Sequence, residues 1–196
     1  MADAHDPGRR ILLTALAGLT LVNTPLLRAA PGPGNVQGNS PGLVAYFSRS
    51  GNTRVIAGVI QRSLGTDLFE IEPAAPYPED YFQTVAQASA ERERDIKPAL
   101  KHSLADIAPY QTIYLGFPIW GTTVPPVVRS FLSQHDFTGK TLIPFITHGG
   151  YGAGDSEAVL ARLAPDATRE KPLVMECDQE RRTTETVARW LEAIRS

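Results

Sequence analysis

Ser48, Ser50, Asn52 and Thr53 place four hydroxyl or amide side chains within six positions, with Arg49 and Gly51 among them. An apolar run, Leu43 to Phe47, precedes them and an amphipathic stretch follows, so the order reads strand, tight polar loop, helix. Neutral donors at a helix N-terminus suit a phosphate, because the unpaired N–H groups and aligned peptide dipoles there favour negative charge. The loop lacks the Gly-Lys-Ser/Thr ending that a triphosphate site needs, and the Gly-x-Gly-x-x-Gly turn of a dinucleotide site. Two readings remain: a monophosphate cradle, or a plain helix start that Asn52 or Ser50 caps unaided.

Two later segments have compositions that suit a flat ligand. Gly116 to Thr123 sets Trp120 between Pro118-Ile119 and Gly121. A loop indole is costly to expose; a conjugated ring would cover it, and so would the domain's own core. Thr147-His148-Gly149-Gly150-Tyr151-Gly152, continuing to Asp155, combines glycines that let backbone approach a ligand with a second aromatic.

The elements that must position these loops follow from periodicity. Leu43–Phe47, Asp67–Glu72, Thr112–Gly116, Thr141–Thr147 and Pro172–Cys177 read as strands, short and apolar or alternating. Pro144 is unusual for a central strand, since it removes a ladder hydrogen bond. Helical faces appear at Ile56, Val59, Ile60 and Leu64, at Val124, Val127, Val128, Phe131 and Leu132, over Ser156–Leu163, and at Val187, Trp190, Leu191 and Ile194 within Thr183–Ile194. Pro73, Pro76 and Pro78 break regular structure, and Glu79 to Lys97 reads as a polar surface helix carrying a solvated charge cluster, Glu91 to Asp95. Strands alternating with helices imply an α/β domain with a parallel sheet covered on both faces. In strand order 2-1-3-4-5, strands 1, 3 and 4 are neighbours, so the three loops would leave one rim and one ligand could touch all of them.

The chain outside this domain is of another character. Arg9-Arg10 precedes an apolar run from Ile11 to Val22, and Ala29-Ala30 precede Pro31-Gly32-Pro33-Gly34. Twelve helical residues span about 18 Å, too short for a bilayer core of about 30 Å. Residues 1–30 resemble a bacterial export signal of the twin-arginine type, with 31–42 as a flexible linker and 43–196 as the domain. Export to the periplasm is the expectation, with the cytoplasm as the alternative. Residues 1–30 hold Arg9, Arg10 and Arg28 against Asp3 and Asp6, so their removal takes the formal net charge from −2 to −3. A mildly acidic domain argues against a nucleic-acid partner. Cys177 is the only cysteine, which rules out an internal disulfide.

Together the three loops, in this order, resemble those of the flavodoxin family, over roughly residues 43–196. The resemblance implies a flavodoxin-like three-layer sandwich, a five-stranded parallel sheet in order 2-1-3-4-5, and FMN as cofactor. It implies that Ser48, Arg49, Ser50, Gly51, Asn52 and Thr53 hold the phosphate. Pro118, Ile119, Trp120 and Gly121 would line one side of the isoalloxazine ring, and Thr147, His148, Gly149, Gly150, Tyr151 and Gly152 the other. No metal is implied.

No Lys or Arg occurs from Gly116 to Val124 or from Thr147 to Asp155. A reduced, anionic flavin would therefore lack a counter-charge in either loop, and the second electron is expected to enter at low potential. Three functions fit the residues. The first is an electron carrier acting on a redox partner protein or a small-molecule acceptor. The second is an FMN-dependent reductase of quinones or nitro compounds that takes hydride from NAD(P)H. The third is a cofactor-free interaction domain.

Overall fold

A computed structural model describes residues 42–176 and 180–194. The expected export signal, almost all of the linker, and Cys177 lie outside the described residues. The elements in chain order are β1 (Gly42–Tyr46), α1 (Asn52–Leu64), β2 (Asp67–Glu70), α2 (Tyr81–Glu93), β3 (Thr112–Pro118), α3 (Pro126–Ser133), β4 (Thr141–His148), α4 (Ser156–Leu163), β5 (Thr168–Arg169), β6 (Leu173–Glu176) and α5 (Glu180–Ala193). The strands pair in parallel in the order β2-β1-β3-β4-β5, with β6 also on β4. This is the flavodoxin-like order expected from the sequence.

All five residues of β1 are buried, as a strand covered on both faces requires. One apolar layer joins β1 and β3 to α3 and α4 through Leu43, Leu115, Val127, Phe131 and Leu160. The other joins the opposite sheet face to α1 and α5 through Val44, Ile56, Ile60, Phe145, Val187 and Leu191. Among the described residues no helix is long and apolar enough to cross a membrane.

The outer position next to β4 departs from expectation. Instead of one strand from Pro172, two short segments share it: β5 pairs with Thr141 and Leu142, and β6 with Phe145 to His148. Pro144 accounts for the break. The Leu142 carbonyl accepts from Glu170 N–H (3.0 Å), so Leu142 and, two residues on, Pro144 face this outer edge. The ring nitrogen of Pro144 has no hydrogen to give, and the edge is interrupted where a bond would have been asked of it.

The helix expected over 79–97 is shorter, Tyr81–Glu93, and is not wholly a surface element. Asp80 caps it, its Oδ1 accepting from Gln83 N–H at 2.8 Å, and Thr84, Ala88 and Glu91 are buried. The segments on either side of it are stitched together: Ala74 N–H donates to Ala99 O and Lys101 N–H to Glu72 O (2.7 and 2.8 Å). This clip returns α2 to the sheet, so the helix is fixed beside the rim rather than trailing from it.

Gly116 leaves room for the Phe145 ring beside it on β4. A Cβ at Gly116 would stand 2.1 Å from that ring. Gly116→Ala is expected to lower stability by about 1–3 kcal/mol, the usual cost of overpacking. Urea denaturation would measure it, and an unchanged midpoint would mean the ring moves freely.

Candidate functional site

The loops after β1, β3 and β4 leave the same rim, and they are joined beneath it. Thr53 and Thr147 are 1% and 2% exposed, and their hydroxyls lie 2.9 Å apart. The Thr147 carbonyl accepts from Ile119 N–H at 2.8 Å. Thr147 thus touches the other two loops as well as carrying its own. Of the six residues expected around a phosphate, Thr53 turns its hydroxyl inward to this contact.

The first loop is shaped as a cradle rather than as a cap. The N-cap residue of α1 is Gly51, in the left-handed region at φ +93°, and no side chain caps the helix. The reading in which Asn52 or Ser50 merely caps α1 is therefore set aside. Ser48 Oγ instead accepts from Gly51 N–H (3.1 Å), and Asn52 Nδ2 donates to Ser50 Oγ (3.3 Å). No acidic residue occupies the first turn. An N-terminus without a cap or a carboxylate, ringed by hydroxyls, has the donor set that fits a phosphate.

The second loop is a tight hairpin. Trp120 and Thr123 exchange backbone bonds (3.1 and 3.3 Å) across Gly121 and Thr122, whose φ values are +56° and +66°. Thr122 pays for this conformation with steric strain of about 1–3 kcal/mol. The third loop holds the hairpin in place: Asp155 N–H donates to Thr122 O at 3.0 Å. Gly154 makes the approach feasible, since a Cβ there would lie 1.9 Å from that carbonyl oxygen. Within the third loop, His148 Nδ1 accepts from Gly150 N–H (3.0 Å).

Trp120 is half-buried, edge-on to Phe47 (5.1 Å, 83°) and to Tyr77 (4.8 Å, 81°). Tyr77 in turn donates its hydroxyl to the buried carboxylate of Glu91 (2.8 Å), and burial, then that bond, raise its pKa. The indole is therefore covered in part by the protein's own core, and in part left facing a cavity of about 480 Å³. That volume suits a cofactor-sized ligand. Ile119, Trp120, Gly121 and Thr122 line it on one side with Gly149 and an 81%-exposed Tyr151. Of the first loop only Arg49 reaches it. Pro118, His148, Gly150 and Gly152 belong to the same rim without lining the cavity.

The remaining wall was not anticipated. Tyr81, Thr84, Val85, Ala88 and Arg92 of α2 close the cavity. Their spacing, i, i+3, i+4, i+7 and i+11, is that of one helical face, and this was the available signal. The surrounding charges, Glu91 to Asp95, masked it. Two of those charges are not solvated decoration: Glu91 is buried and Arg92 half-buried against the cavity. The two later loops carry no Lys or Arg, and the cations at the cavity come from elsewhere: Arg92 from α2 and Arg49 from the first loop.

Arg49 Nη2 donates to Glu79 O (2.6 Å), and no carboxylate lines the cavity. Behind the hairpin, Arg129 donates to Thr123 Oγ1 (2.8 Å) and Val124 O (3.1 Å). Burial first, then the nearby Arg162, lower the Arg129 pKa. The described ion pairs, Arg54–Glu70, Lys101–Glu72 and His102–Glu72, lie elsewhere.

Thr147→Val keeps the shape but strands the Thr53 hydroxyl. A loss of about 1–3 kcal/mol is expected from the unsatisfied buried group. The double variant Thr53→Val/Thr147→Val should recover most of it. Chemical denaturation of the three variants checks this, and additive losses would count against the hydroxyl contact.

A family profile described as Flavodoxin matches residues 42–194. Among solved structures, a protein described as a flavoprotein from Bacteroides uniformis ATCC 8492 is 32% identical, with a TM-score of 0.69 over 78% of this chain and 98% of its own. Another, from Bacteroides eggerthii DSM 20697, is also 32% identical at TM-score 0.69, over 81% of this chain and 99% of its own. A flavoprotein from Lactobacillus acidophilus NCFM, solved in complex with FMN, shares the fold at 18% identity and TM-score 0.60, over 74% of this chain and 99% of its own. No curated protein matches. The strand order, the uncapped start of α1 and the two further loops of the rim thus lie within a profile match that spans the whole described domain, and the chain belongs to the flavodoxin family.

Proposed function

We propose that the chain binds FMN and works as an electron-transfer protein. The observation that carries this is the pairing of an uncapped, hydroxyl-ringed helix N-terminus with an aromatic, carboxylate-free cavity on the same rim. Ser48, Ser50, Gly51 and Asn52 would hold the phosphate by hydroxyl, amide and backbone N–H donors. Trp120 and Ile119 would cover the ring on one side, and Gly149 and Tyr151 on the other. Bound FMN supplies the electron storage. The protein's part is to seat it, exclude water from its faces and leave one edge reachable.

The exposed edge is defined by α2. Tyr81 and Phe82 lie 63% and 79% exposed and edge-on to each other at 5.5 Å, with Val85 beside them. Aromatic groups at the mouth of the cavity suit transient docking of a redox partner protein or a small-molecule acceptor. The openness of this mouth also favours a second reading, an FMN-dependent NAD(P)H reductase of quinones or nitro compounds. NAD(P)H consumption that requires a quinone would favour it over the carrier. We place the protein's work outside the cytoplasm, on the strength of Arg9-Arg10 and the apolar run that follows.

Energetics assign Trp120 a leading share of cofactor affinity. Hydrogen bonds to a charged phosphate contribute about 1.5–3 kcal/mol each. Association costs about 4–15 kcal/mol, so phosphate contacts alone leave little surplus. Trp120→Ala is expected to raise the FMN dissociation constant by about tenfold or more, about 1.4 kcal/mol, and by more than Ser50→Ala does. Titration of apoprotein followed by flavin fluorescence reads this directly; unchanged affinity in Trp120→Ala would refute the assignment. Arg9→Lys/Arg10→Lys should hold the protein in the cytoplasm, and undiminished periplasmic recovery on cell fractionation would refute export by this route.

A further inference from the structure

We infer that Arg92 makes this cavity a better site for the reduced, anionic flavin than for the oxidised one, and so raises the potential of the bound cofactor. The inference rests on the FMN reading above. Arg92 stands in the last turn of α2, and its guanidinium lies across Gly121. A Cβ at Gly121 would be 2.8 Å from Nη2, 3.1 Å from Cζ and 3.2 Å from Nη1. Three near-equal distances mean that the flat group covers the hairpin tip rather than pointing at it. Ser89 Oγ steadies it by accepting from Nη2 at 3.2 Å.

The charge so placed is not neutralised by a direct partner. Among the described residues Arg92 forms no ion pair, and the cavity it lines carries no carboxylate. Arg49, the other cavity cation, gives a donor to the Glu79 carbonyl, while Arg129 behind the hairpin is offset by the nearby Asp155 and Asp95. A half-buried cation beside an apolar cavity interacts more strongly than one in water. When the ring takes up two electrons and one proton it passes from neutral to a single negative charge. A fixed guanidinium then favours the product over the reactant. By linkage, a difference in affinity between the two forms is a shift in potential.

A phosphate grip is the competing role for Arg92, and it makes opposite forecasts. The test uses the FMN-loaded protein and its Arg92→Gln, Arg92→Lys and Arg94→Gln variants in dithionite titrations with reference dyes. It adds apoprotein titrations with oxidised FMN and with oxidised riboflavin, which lacks the phosphate. For Arg92→Gln the expected result is a loss of affinity about tenfold greater for reduced than for oxidised FMN. For a two-electron couple this lowers the midpoint by about 30 mV. Oxidised FMN and riboflavin affinities should change little, Arg92→Lys should retain most of the potential, and Arg94→Gln, an exposed charge off the cavity, should leave it in place. An unmoved midpoint in Arg92→Gln overturns the inference. So does equal loss of oxidised and reduced FMN binding with riboflavin spared, which assigns Arg92 to the phosphate. Should the unaltered protein bind neither flavin, the FMN reading itself falls, an outcome distinct from flavin binding with an unmoved potential.

Discussion

A buried pair of hydroxyls, Thr53 against Thr147, is the constraint on which the rim depends. Loops are ordinarily the least determined parts of a domain, and a cofactor site assembled from three of them needs a shared anchor. Here the anchor lies just below the surface, where water cannot compete for the bond and an unpaired hydroxyl is costly. Because the Thr147 carbonyl also receives Ile119 N–H, one residue sets the relative heights of polar loop, indole hairpin and glycine loop. The Thr122–Asp155 bond closes the circuit above it. The loops owe their order to two levels of polar contact rather than to their own composition.

The charge distribution follows a different logic from the packing. The chain is mildly acidic, yet the cavity is bounded by guanidinium groups and by no carboxylate. The nearest acid on α2 faces elsewhere: Glu91 is turned inward to Tyr77 and Gln87. That carboxylate fixes Tyr77, Tyr77 meets Trp120, and the next residue along the helix presents its cation to Gly121. Successive residues of α2 therefore perform opposite tasks, one locking the aromatic wall and the other setting the field within it.

Much of the architecture was legible because burial on both faces writes itself plainly. The apolar run Leu43–Phe47 and the helical stripe of Ile56, Val59, Ile60 and Leu64 carry a single message each; alternation gave a parallel sheet, and the strand order came only with the family resemblance. The polar loop around Gly51 was legible as a helix start, but whether its hydroxyls cap the helix was not; the structure leaves α1 without a side-chain cap. What was hidden was hidden by superposition. On α2 a cavity-facing stripe shares its helix with a run of charges, and the charges dominate any average over the segment. Arg92 could not be placed because its neighbour in space, Gly121, is far from it in sequence. The divided strand beside β4 was foreshadowed by Pro144, whose irregularity was visible while its direction was not; only the facing of Leu142 toward Glu170 shows which side loses a donor.

That divided margin bears on how the molecule behaves in company. A long, unbroken outer strand offers its free N–H and C=O groups as a template on which another chain can assemble. Here the margin is two residues, a gap at Pro144, then four, and the opposite margin, β2, is also only four residues long. Among the described residues neither side presents a run on which stacking could propagate, so the proline that disturbs the ladder also works against the protein sticking to its own copies.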